Sequence, residues 1–152
     1  MPFDPQAPTE EDRSRAFTAT WVGLAGSLVT TVSAVFGWDN IVFNLALGAA
    51  IGGLIIAAFQ GHSDDYFRSL SSVGTRWLAA ALAIYLFCAF LIQLADLAYG
   101  VGFAASSGQA QESRYGSWAY VLDGPLVAAF FALVYHSGFA FAWLRDHLGG
   151  DE

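Results

Sequence analysis

Apolar residues fall in four long runs separated by short polar breaks: Ala16–Gly37, Ile41–Gln60, Trp77–Val101 and a fourth ending near Leu144. Each approaches or exceeds the roughly 20 residues that a helix needs to cross a hydrocarbon core of about 30 Å. The pattern predicts an all-α, polytopic membrane protein of the cell membrane, a four-transmembrane-helix bundle. Residues 16–145 form the membrane domain, flanked by acidic tails at 1–15 and 146–152.

Punctuation between the runs sharpens the boundaries. Thr9, followed by Glu10, Glu11 and Asp12, offers an N-cap with an acidic first turn, so the first helix is expected to start ahead of its span. Gly37-Trp38-Asp39-Asn40 predicts a tight turn that folds spans one and two into an antiparallel hairpin. Ser63 offers a cap for a short amphipathic helix in which Tyr66, Leu70 and Val73 recur at helical spacing, with a stop at Gly74. The fourth span has two readable starts. A helix from Ser117 would carry Pro125 in its interior, which costs a backbone hydrogen bond. A start at Asp123-Gly124-Pro125 puts Asp123 at the N-cap and the proline in the first turn, where its missing N–H is harmless; this start is preferred.

Charge sets an orientation. Arg13 and Arg15 precede span one, Arg68 and Arg76 lie between spans two and three, and Arg145 follows span four, leaving only Arg114 opposite. By the positive-inside rule both termini and the middle loop are cytoplasmic, and the amphipathic segment lies on the inner surface. Trp21, Trp77 and Trp143 near the inner ends, and Trp38 and Trp118 near the outer ends, suit interfacial aromatics.

Composition agrees and excludes several functions. Hydrophobic residues make up 56% of the 152 residues and charged residues 12%, about half the charged share of an average soluble domain. The net charge is −7, with no lysine, which argues against nucleic acid as a partner. The region ahead of the first run is acidic and the run too long for a secretory signal peptide. The single cysteine, Cys88, rules out a disulfide framework or thiolate cluster within the chain. HExxH, Walker A and GxSxG motifs are absent. The Gly100–Ala105 string follows a helix rather than a strand, so it is not a dinucleotide fingerprint.

Lipid supplies no hydrophobic drive between helices, so small residues mark packing faces. Gly48 and Gly52 form a GxxxG pair in span two with Asn44 one turn earlier. Span one places Gly23, Ser27 and Thr31 at four-residue spacing, and span four repeats Ala128, Ala132, His136 and Ala140. Phe130, Phe131 and Phe141 are expected to face lipid.

The polar residues inside the spans are where activity is to be sought. His136 lies deep in span four, at the depth of Tyr85 in span three, and a Tyr85–His136 hydrogen bond would satisfy both. Toward the outer end, Ala89, Gln93, Asp96 and Gly100 share one face, joined at that level by Asp39, Asn44 and Asp123. Three carboxylates and two amides offer oxygen ligands for a cation; the plainer reading is a set of wet helix ends. At the inner face His62, Asp64 and Asp65 read as a solvated loop.

Three functions follow. The first is a non-catalytic helical subunit of a membrane complex or homo-oligomer, partnered by the lipid bilayer and other membrane subunits. The second is a small oligomeric cation or proton channel or transporter, with a path from Asp39, Asp96 and Asp123 past Tyr85 and His136. The third is a redox subunit that holds haem or quinone through His136, which lacks a second histidine at its depth. No cofactor or metal is assigned.

Overall fold

The computed structural model describes residues 9–38, 40–59, 64–108 and 124–149. They form four helices, each long and apolar enough to cross a membrane: α1 (Glu10–Val35), α2 (Ile41–Ala58), α3 (Asp65–Ser107) and α4 (Gly124–Leu148). No strand occurs among the described residues.

Local chemistry sets most of the helix ends. Thr9 caps α1 in a capping box with Asp12: the Thr9 hydroxyl accepts from the Asp12 N–H at 3.2 Å, and the Asp12 carboxylate accepts from the Thr9 N–H at 3.2 Å. Gly37 ends α1 in the left-handed conformation, φ +68°. Its N–H donates to the Ala34 carbonyl, and the Trp38 N–H donates to the Ser33 carbonyl at 2.8 Å. That pair of bonds is a Schellman motif, which needs a residue tolerant of positive φ. Asn40 then starts α2, its Oδ1 accepting from the Val42 and Phe43 N–H groups. Together these reverse the chain into the α1–α2 hairpin.

The third helix departs from expectation. Its N-cap is Asp64, whose Oδ1 accepts from the Phe67 N–H at 2.8 Å; Ser63 lies outside the described residues. No stop occurs at Gly74, and the expected surface helix and span three are one helix of 43 residues, about 64 Å long. Gly74 serves close approach instead. A methyl placed on it would lie 2.7 Å from the Tyr135 carbonyl oxygen of α4, and good helix formers follow it. In α4, Pro125 is the second helical residue, so no helix bond is lost there; Asp123 lies outside the described residues.

The fourth helix is the hub. It packs on α1, α2 and α3, while α1 and α2 pack most extensively on each other. We call the end that gathers the starts of α1 and α3 and the finish of α4 the tail end. There Phe17, Phe67 and Phe139 form a ring cluster at centroid distances of 5.2–6.0 Å, extended by Trp21 and Trp143. Arg13 Nε meets Asp64 Oδ2 at 3.0 Å across the α1–α3 gap. Tyr66 beside it has its hydroxyl pKa pushed above the ordinary value, first by partial burial and then by the Asp146 carboxylate.

Candidate functional site

Two adjacent residues of α4 organise the interior. His136 is fully buried. Its Nδ1 lies 2.7 Å from the Ala132 carbonyl oxygen one turn earlier, so Nδ1 carries the proton and donates. Nε2 has no hydrogen-bond partner among the described residues. It points into the crossing of α1 and α2, where Gly23 and Gly53 meet: a methyl on Gly53 would lie 2.8 Å from Nε2 and 2.9 Å from the Gly23 Cα, and a methyl on Gly23 would collide with the same nitrogen. A second N–H on the ring would have no acceptor, so this packing accommodates the neutral Nδ1–H tautomer. Tyr135, on the next face, places its hydroxyl 2.8 Å from the Ser71 hydroxyl of α3.

The sequence-derived pairing of His136 with Tyr85 is therefore replaced. His136 bonds its own helix through Nδ1 and not Tyr85, and the Tyr85 ring stands edge-on to Phe131, centroids 5.5 Å apart. Among the described residues, the Tyr135–Ser71 hydrogen bond is a polar link between α4 and α3.

Small-residue packing is real, but its register differs. Gly23 and Ser27 lie buried on the packed face of α1, with Ser27 Oγ donating to the Leu24 carbonyl. Gly48 and Gly52 meet nothing within 4 Å of an added methyl. The packed face of α2 is Ala46, Ala50, Gly53 and Ala57. Gly26 closes on that face, where its methyl would lie 2.6 Å from the Ala46 carbonyl oxygen. In α4, Ala132 and His136 are buried, whereas Ala128 is exposed and Ala140 only partly covered. Phe130 and Phe141 are exposed, and Phe131 is partly covered by Tyr85.

The group expected at the hairpin end is only partly visible. Asp39 and Asp123 lie outside the described residues, as do His62, Arg114 and Trp118. Asn44 is exposed and donates from Nδ2 to the Asn40 carbonyl at 3.2 Å. Asp96, Ala89 and Gly100 are half-buried, while Gln93 is exposed on the same helix. Among the described residues no three His, Cys, Asp or Glu side chains gather closely enough to hold a metal. His147 stacks on Trp143 with ring centroids 4.0 Å apart and bonds that residue's carbonyl.

No family model, curated protein or solved structure matches this chain. Its chemistry must be read from its own geometry.

Sequence reasoning missed Gly53, Ser71, Tyr135 and the Gly74–Gly138 approach, whereas Gly26, read beside the Gly23–Ser27 stripe, does lie on the packed face. A methyl on Gly138 would lie 3.0 Å from the Gly74 Cα. The signal for α2 was present: Ala46, Ala50, Gly53 and Ala57 are a small-residue stripe at helical spacing.

Proposed function

We propose that this chain is a non-catalytic, multi-pass cell-membrane protein that acts as a helical subunit of a membrane complex or homo-oligomer. The supporting observation is an asymmetry between helices. The most apolar 18-residue stretch of α3 is 0% buried, against 33% in α1, 17% in α2 and 39% in α4. Helices α1, α2 and α4 close around His136, and α3, the longest, offers its apolar length outward.

The interior supports a structural role rather than a path. Three buried hydroxyls of α1 are spent on their own helix: Thr20 donates to Ala16 O, Ser27 to Leu24 O and Thr30 to Gly26 O. They form no interhelical relay. An iron ligated by Nε2 would need to sit about 2 Å from it, in the notch between Gly23 and Gly53, where even a methyl added to either glycine would crowd that nitrogen. Orientation rests on the arginines. Arg13, Arg68 and Arg145 lie toward the tail end of α1, α3 and α4, which supports cytoplasmic termini by the positive-inside rule.

The reading is tested in liposomes. Reconstituted protein is expected to carry no proton or cation flux above protein-free vesicles. A flux that falls with Asp96→Asn or His136→Ala would overturn it in favour of transport.

A further inference from the structure

Gln93 is an amide in the wrong solvent. It lies within the apolar stretch Leu91-Ile92-Gln93-Leu94 and is exposed. It stands two helical turns, about 12 Å, inside Val101, the far end of the run. No hydrogen bond joins its side chain to any described residue. If α3 is embedded in lipid, no water reaches that depth, and an amide left facing hydrocarbon loses several hydrogen bonds at once. A side chain with two methylenes before its amide does not bridge 12 Å to the interface.

The surroundings of Gln93 form a usable seam. Ala83, Leu86, Phe90, Gln93 and Leu97 follow alternating spacings of three and four and are all exposed. This is the spacing of a left-handed helix pair, with the amide at a core position. Asp96, one turn on, is half-buried and off the seam.

We propose that two copies of this chain pair through α3 in parallel, with Gln93 hydrogen-bonded to Gln93 of the second copy. The occupant is argued from the chemistry of the amide, which carries both a donor and an acceptor and is its own complement. Two copies inserted in one orientation also place residue 93 at one depth, as a two-fold axis along the membrane normal requires. A buried polar residue in an apolar seam fixes register and partner number in this way. The inference rests on the subunit reading above and names its partner.

The test uses the full chain in liposomes at high lipid excess, carrying Cys88→Ala. Single-molecule photobleaching of labelled copies counts subunits, and copper-phenanthroline oxidation of added cysteines maps the face. Dimers are expected, with Leu86→Cys and Leu97→Cys cross-linking and Ile84→Cys, on the opposite side, not. Gln93→Leu is expected to weaken dimerisation about tenfold, while Gln93→Asn, which keeps an amide, retains most of it. Diluted to monomer in detergent, both variants should melt like the parent, because the site is exposed within the single chain. Monomers at every lipid ratio, or Gln93→Leu dimers as tight as the parent, overturn the pairing. That failure is distinct from failure of the subunit reading, which a flux would sink whatever the subunit count.

Discussion

The rings of Tyr135 and His136 stand 5.2 Å apart at 82° to each other, and they tie α4 to opposite partners. The Tyr135 hydroxyl reaches Ser71 of α3, while the His136 imidazole fills the notch between Gly23 of α1 and Gly53 of α2. Adjacent helical residues point about 100° apart, so one dipeptide addresses two sides of the bundle. Both contacts depend on something small opposite a ring.

Glycine substitutions should therefore divide by face. Gly23→Ala and Gly53→Ala force a methyl into the His136 ring and the facing backbone, and overpacking of this kind costs about 1–3 kcal/mol. Gly48→Ala and Gly52→Ala meet open space and gain helix propensity, about 1 kcal/mol at most. SDS-driven unfolding in mixed micelles separates the two classes. Equal stability of Gly53→Ala and Gly48→Ala would contradict the notch.

That contrast shows what the sequence could and could not disclose. The ends of α1 and the start of α2 were legible because caps are local: Thr9 with Asp12, Gly37 and Asn40 each act within four residues, whereas α3 is capped by Asp64 and not by the expected Ser63. The packed face of α2 was not. Ile41–Ala58 is apolar on every side, so no polar face orients it, and the Gly48–Gly52 spacing competes with the Ala46–Gly53 stripe. Gly74 misled for a related reason. A glycine that ends a helix and one that admits a neighbouring backbone look alike until the neighbour, Tyr135, is in place. The place of His136 on a packed face was readable, but not its partner, because a carbonyl one turn back took the Nδ1 proton in place of Tyr85.

The Ser71–Tyr135 bond should behave as a coupled pair. Tyr135→Phe and Ser71→Ala each remove one member, and the double variant is expected to cost less than the sum of the two. Interhelical hydrogen bonds in membranes average about 0.6 kcal/mol and reach about 1.7. A double-mutant cycle in mixed micelles reads the coupling directly. Strict additivity would mean that the hydroxyls do not share a bond.

His136→Ala removes a buried ring and leaves a cavity, with an expected loss of about 2–5 kcal/mol. The sharper prediction is a rescue. Once the ring is gone, a methyl on Gly53 no longer meets Nε2, so Gly53→Ala should be less harmful in the His136→Ala background than alone. Thermal unfolding in detergent of the two single variants and the double variant checks this. A Gly53→Ala penalty unchanged by the loss of His136 would show that the Gly23 backbone, not the ring, limits that position.

At the tail end, Arg13 and Asp64 make unequal contributions to the link between α1 and α3. The Arg13 side chain is 45% exposed and that of Asp64 26%, so the ion pair alone is worth about 0–1 kcal/mol and weakens with salt. Asp64 does more. Its Oδ2 meets Arg13 while its Oδ1 caps α3 at the Phe67 N–H, and loss of an N-cap costs about 1 kcal/mol by itself. Asp64→Ala is therefore expected to destabilise more than Arg13→Ala. Asp64→Asn, which can still cap, should resemble Arg13→Ala. Raising the salt should erase the Arg13→Ala effect while leaving the capping part of Asp64→Ala in place. Unfolding midpoints at low and high salt measure both parts. If Asp64→Asn and Asp64→Ala are equally damaging, the carboxylate acts through its charge, and the cap contributes nothing at this end of α3.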